Sequence, residues 1–248
     1  MLKNLIPTSS AVLISCAGAA SAQQTDWDFS ASIYLFGAGT TTSIDSPAGS
    51  VETELSFGDA LENLDFAFMG AFEAHNGRWG AFVDFMYYDL AFDADISGPN
   101  FARSETSLEM TAVTAAGLYR AYEGAVVTLD LVAGFRWFDI DSAVELTPAG
   151  GAAVPVSFGA GSDWIDPIIG ARARFAFDRN WSATVYADYG GFSGDSETWQ
   201  VLVTADYTIN ERWTLRGGYR HISFDHDIGD SNLHIEQSGP VLGVTFQF

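Results

Sequence analysis

Side chains change character at nearly every second position over much of this chain. Across 79–88, Trp79, Ala81, Val83, Phe85 and Tyr87 make one set, and Gly80, Phe82, Asp84, Met86 and Tyr88 the other. Successive side chains of a strand point to opposite faces, so this alternation predicts a strand with one continuous apolar face. The same reading places Val127, Leu129, Leu131, Ala133, Phe135 and Trp137 on one face, with Thr128, Asp130, Val132, Gly134 and Arg136 behind them. It places Ile165, Ile169, Ala171, Ala173 and Phe175 opposite Asp166, Gly170, Arg172 and Arg174, and Leu215 and Tyr219 opposite Arg216, Gly218 and Arg220. Ten strands are predicted, at 26–38, 62–75, 79–92, 106–121, 125–139, 163–177, 181–190, 198–209, 213–224 and 234–248.

Charge follows the same parity. Glu73, Asp84, Glu109, Asp130, Asp188 and Asp206 are assigned to the polar face, together with Arg136, Arg172, Arg174, Arg216 and Arg220. An Arg facing hydrocarbon at the bilayer midplane costs about 2–4 kcal/mol, so lipid would enforce this segregation. The fold class expected is all-β: an antiparallel transmembrane β-barrel of about ten strands, with eight or twelve as alternatives. These charges would then line a lumen, where opposite signs pair as the polar core of a narrow barrel.

Connections alternate between tight and long. Asn76-Gly77, the strongest hairpin dipeptide here, precedes Arg78-Trp79; Asp178-Arg179-Asn180 leads to Trp181 and Asn210-Glu211-Arg212 to Trp213. Tyr122-Glu123-Gly124 makes a fourth tight turn, and Trp27 opens the first strand in an equivalent position. With Trp137, these Trp residues are expected at the membrane interfaces, the tight turns facing the periplasm and the long connections facing outside. The long connections are 39–61, 93–105, 140–162 and 225–233, with a shorter one near 191–197. Phe57-Gly58-Asp59-Ala60-Leu61 is expected to form a short helix or plug at the barrel mouth, and 147–153 to be mobile.

The N-terminus changes the compartment. Lys3, an apolar run from Ala11 to Ala20, and Ala20-Ser21-Ala22 have the layout of a secretory signal peptide cut after Ala22. Residues 23–248 would then form one barrel domain. A competing reading takes Leu13-Ile14-Ser15-Cys16 as a lipoprotein box with lipidation at Cys16. Cys16 is the single cysteine, so cleavage after Ala22 leaves neither a disulfide nor a thiol site. Lys3 is also the single lysine, and the mature chain sets ten arginines against 32 carboxylates. That balance argues against nucleic acid, whose binding rests on cation contacts to phosphate.

The C-terminus resembles the insertion signal of bacterial outer-membrane barrels, with Gly243, Phe246 and the terminal Phe248 in its key places and Val241 where a polar residue is usual. Over the whole mature chain the strand grammar, Trp199-Gln200-Val201-Leu202, Gly217-Gly218-Tyr219-Arg220 and Ser238-Gly239-Pro240 resemble the small porin-like outer-membrane β-barrel proteins of Gram-negative bacteria. The resemblance implies residence in the outer membrane, contact with its lipid, and handling by the barrel-insertion machinery. These signatures are architectural; the reading drawn here is a monomer with a structural or narrow passive porin role and no cofactor, rather than an enzyme. Two other functions stay open. His221, Ser223 and Glu236 resemble the His-x-Ser and later Glu of lipid A deacylases, although Phe224 replaces the usual Asn. Such a set would activate Ser223 through His221, oriented by Glu236. Acidic external loops, including Asp225, His226, Asp227, Asp230 and His234, suit a cell-surface binding protein; their spacing matches no metal motif.

Overall fold

Strands form wherever the alternation is clean, and most run further than the apolar pattern does. The computed structural model describes residues 27–47, 49–95, 101–149, 155–192 and 194–248. The leader expected at 1–22 and most of the segment 147–153 lie outside them. Among the described residues there are twelve strands: β1 (Trp27–Phe36), β2 (Gly39–Ser46), β3 (Gly49–Leu55), β4 (Leu64–Asn76), β5 (Trp79–Asp95), β6 (Phe101–Glu123), β7 (Val127–Pro148), β8 (Val156–Ala176), β9 (Trp181–Gly190), β10 (Ser196–Thr208), β11 (Trp213–Ile228) and β12 (Ser231–Gln247). One helix, α1, spans Phe57–Glu62.

Ten of these strands close a ring in the order β1-β4-β5-β6-β7-β8-β9-β10-β11-β12, with β12 returning to β1, all antiparallel. Closure joins the first strand to the last, which is how a sheet enters hydrocarbon without two open ends. The seam sets Ser30 opposite Gln247 and Phe36 opposite Val241. The terminal Phe248 N–H donates to Phe29 O at 3.0 Å, so the last residue continues the closing ladder.

Several long connections are strand rather than loop. β6, β7 and β8 continue past the expected ends into 101–105, 140–148 and 156–162. The apolar alternation stops there because the outer face has left the lipid, while backbone pairing continues. The first connection departs most. It was expected as a loop, and it holds the hairpin β2–β3 and then α1, the helix expected at 57–61. Ser56 caps α1 by accepting the Asp59 N–H at 3.2 Å. β2 pairs with the outer part of β12, from Gly39 opposite Ser238 to Asp45 opposite Asn232, so β1 and β2 share one partner strand around a break at Gly37 and Ala38. Gly239 is required at that break, because a Cβ there would collide with the Gly37 carbonyl.

The tight turns sit at one end, together with Trp27 and Phe248. In the turn after β8, the Asp178 carboxylate accepts the Asn180 and Trp181 N–H groups, both at 2.8 Å. These bonds favour the ionised form and hold the exposed Asp178 carboxyl below the usual range. A depressed folded pKa contributes stability above the unfolded value of about 3.9 that is lost as pH falls through the folded value. Asp178→Ala should therefore lower the urea midpoint at pH 7, and the gap from wild type should narrow at pH 3. A gap of equal size at both pH values would contradict this origin.

Candidate functional site: the barrel lumen

Inward side chains stack in three layers, because the strands carry different residue types along their inner parity. The layer toward the long connections is apolar. Phe138, Phe224 and Ile222 are fully buried, packed with Trp164, Met86 and Met110. The Phe138 and Phe224 rings lie 4.4 Å apart and Phe138 is 5.0 Å from Trp164.

Below it lies a buried ionic layer. Arg136 donates to Asp188 Oδ2 at 2.6 Å, to Thr114 Oγ1 at 3.1 Å and to Thr198 Oγ1 at 3.0 Å. Arg220 donates to Gln200 Oε1 at 2.6 Å and to Tyr34 OH at 3.1 Å, and lies 3.5 Å from Asp84. Tyr34 in turn donates to Asp84. Gln200 bridges the two halves by donating to Asp188 at 3.2 Å. Asp166 accepts from Trp164 Nε1 and from Ser196. Burying these charges costs several kcal/mol per ion unless they are paired and hydrogen-bonded, and the network supplies both.

The third layer lies toward the tight-turn end and is open. A cavity of about 790 Å³ opens there, lined among others by Glu73, Arg172, Arg174, Asp206 and Arg216. Arg172 is its hub, bound to Glu73 at 2.5 and 3.0 Å and to Asp130 at 2.9 Å. Arg120 shares Asp130 at 2.6 Å, and Arg216 holds Asp206 at 2.7 Å. Arg174 lines the cavity and, among the described residues, has no carboxylate within ion-pair distance.

The structure thus brings Glu73, Asp84, Asp130, Arg136, Arg172, Arg174, Asp188, Asp206, Arg216 and Arg220 to the interior. Glu109 is a correction: it is on the outer wall, exposed, 3.5 Å from the outward Tyr87 hydroxyl. On β6 the inward parity belongs to Met110, Thr114 and Leu118, which puts Glu109 outside with Asp89 and Asp141, its register neighbours. Arg120 lines the lumen as well, as does His75, which lies 2.7 Å from Glu73, and neither was among the charges read from the sequence. Arg120 shares the parity of Leu118, a signal present in the sequence.

Outside, aromatics ring the tight-turn end. Trp79 packs on Tyr119 at 5.0 Å, Trp181 on Tyr207 at 4.9 Å, Trp213 on Phe246 at 4.8 Å, and Trp27 stacks on Phe29 at 6.4 Å. Trp137 is outward at the opposite level of β7, so the two sets bracket the apolar band. Gly243 faces Tyr34, where a Cβ would come within 2.7 Å of the Tyr34 Cβ.

The His221, Ser223 and Glu236 side chains share the outer parity, with Ser223 directly opposite Glu236. His221 Nδ1 lies 2.6 Å from Ser238 Oγ, while Glu236 lies 3.4 Å from His234. Among the described residues no hydrogen bond joins the three. The acidic loop is dispersed as well: His226 stacks on Trp164 at 4.3 Å and His234 meets Asp225 at 3.2 Å. No group of three or more His, Cys, Asp or Glu side chains among the described residues is placed to hold a metal ion.

No protein-family model matches the chain, and no curated protein matches it in sequence. Among solved structures it is similar to the outer membrane protease OmpT from Escherichia coli, at 11% identity and a TM-score of 0.60, covering 93% of this chain and 99% of that one. Ail, the attachment invasion locus protein of Yersinia pestis, matches at 11% identity and a TM-score of 0.36, covering 91% and 100%. Neisserial surface protein A matches at 15% identity and a TM-score of 0.31, covering 89% and 97%. The closed ten-strand ring, its lipid-facing band and the likeness to the first of these barrels make the chain an outer-membrane β-barrel by fold.

Proposed function

We propose that this protein is a structural barrel of the outer membrane whose lumen does not pass solutes passively. The observation that carries this reading is the stack of two closed layers above the wet cavity. A hydrated ion leaving the periplasmic cavity meets Arg136 and Arg220, which are 0% and 2% exposed, and then Phe138 and Phe224, both at 0%. The first layer holds its charges in mutual bonds, and the second offers no polar group to replace a lost hydration shell. The cavity therefore ends blind, and its polar wall serves to solvate the charges of the periplasmic half.

Refolded mature protein in a planar bilayer should give no discrete unitary currents, at a protein load where a known porin does. Insertion is checked on the same sample by heat-modifiable mobility. Reproducible single-channel steps from inserted wild-type protein would overturn the reading in favour of a passive porin.

A further inference from the structure

Among the described residues, all the lumen arginines but one are matched. Arg172 takes Glu73 and Asp130, Arg120 takes Asp130 and Glu123, and Arg216 takes Asp206. In the buried layer Arg136 is held by Asp188, and Arg220 lies beside Asp84. Arg174 lines the cavity at the tight-turn end, exposed to it, with no hydrogen bond or ion pair among the described residues.

The carboxylates around it are already engaged. Asp206 Oδ1 accepts from Arg216 at 2.7 Å and from Thr204 at 3.0 Å, and its Oδ2 accepts from Thr184 at 2.8 Å. Glu73 accepts from both terminal nitrogens of Arg172 and lies 2.7 Å from His75. Arg216 reaches Asp206 through Nε alone, so its two terminal amino groups are donors without acceptors, like the whole Arg174 fork. Arg174 also stands two residues from Arg172 on the same face of β8, and within electrostatic reach of Arg216. Three like charges repel, and a guanidinium cannot relieve the repulsion by losing its proton. An incoming anion relieves it and takes up the free donors.

The rest of the wall narrows the kind of anion. Ser30, Ser182, Thr208 and Thr214 line the same cavity, and their hydroxyls make no hydrogen bond among the described residues. The chamber, about 790 Å³, has room for far more than an inorganic ion. Asp28, Glu123 and Glu211 are exposed at its turn end, and a rim of carboxylates repels a polyanion more than a monoanion.

We propose that this cavity binds a small monocarboxylate bearing several hydroxyl groups, of the sugar-acid class. The Arg174 fork takes the carboxylate, Arg216 adds a second donor, and the free wall hydroxyls meet those of the ligand. One surplus cation matches one negative charge. This site goes beyond a structural role and holds whether or not the lumen conducts.

The test titrates the mature barrel, refolded from urea into zwitterionic detergent, with glucuronate, glucose, acetate and inorganic phosphate at low salt. Calorimetry should show saturable glucuronate binding about tenfold tighter than that of glucose or acetate, equivalent to about 1.4 kcal/mol. Phosphate should bind more weakly than glucuronate. Arg174→Gln should weaken glucuronate binding by about tenfold or more, the loss of a charge-assisted fork. Arg120→Gln, whose guanidinium is held by Asp130 and Glu123, should keep the wild-type affinity. Heat-modifiable mobility reports that each variant has folded. Wild-type affinity in folded Arg174→Gln would overturn the proposal, as would an equal loss in folded Arg120→Gln. So would acetate or phosphate binding as tightly as glucuronate, or folded wild type without saturable glucuronate binding.

Discussion

Leu131→Arg should lower the stability of the barrel in lipid by about 2–4 kcal/mol if the new charge sits at the midplane, and by less toward an interface. Leu131 is outward and half exposed, between Val127 at the periplasmic end of β7 and Trp137 of the external girdle. Its register neighbours are Tyr119 and Ala171, neither of which offers a counter-charge. The guanidinium must therefore stretch to the interface or remain in hydrocarbon. Asp130→Asn, one residue earlier, changes only the lumen. Asp130 is 3% exposed and binds both Arg120 and Arg172, yet each arginine keeps a second carboxylate, Glu123 at 3.5 Å and Glu73 at 2.5 Å. The amide oxygen of Asn can still accept a hydrogen bond. Urea unfolding from lipid vesicles should thus rank Leu131→Arg well below Asp130→Asn. Equal midpoints would mean that the two faces of β7 are exchanged, and the lumen assignment would go with them.

The two faces were legible wherever one of them is strongly apolar. On β5 and β7, bulky outward side chains alternate with Asp84, Asp130 and Arg136, and parity is unambiguous. β6 offers no such contrast. From Thr111 to Gly117 both faces carry Ala, Thr, Val or Gly, so nothing anchors the parity and Glu109 was placed on the wrong side. The outer ends of β6 to β8 and the hairpin β2–β3 escaped for a related reason. They stand beyond the lipid, where both faces tolerate polar groups and alternation carries no signal. The apolar lumen layer was hidden differently. Phe138, Trp164 and Phe224 share the inward parity of Arg136, Asp166 and Arg220, but nothing in the sequence states that three aromatics from three strands meet in one layer. Partner choice across the lumen was beyond the sequence altogether. Arg136 and Asp188 lie on β7 and β9, and only the register of the closed ring brings them together.

Arg136→Met should be the most damaging single change in the lumen, at about 3–5 kcal/mol, because it strands a buried carboxylate. Arg136 and Asp188 have fully buried side chains joined at 2.6 Å, and the remaining donor to Asp188 Oδ2 is Gln200 at 3.2 Å. Thr114 and Thr198 lose the guanidinium as well, although Thr198 can still donate to the Ser223 carbonyl at 3.3 Å. The double change Arg136→Met/Asp188→Leu removes both ions and leaves apolar groups beneath Phe138 and Phe224. Replacing a buried pair by apolar residues is often neutral or stabilising, so the double variant should recover most of the loss. A double-mutant cycle on unfolding midpoints from lipid measures this directly, since residues in contact are non-additive. Additive losses in the double variant would show that Asp188 does not depend on Arg136 for its charge. That result would remove the ionic layer as a closed element of the lumen.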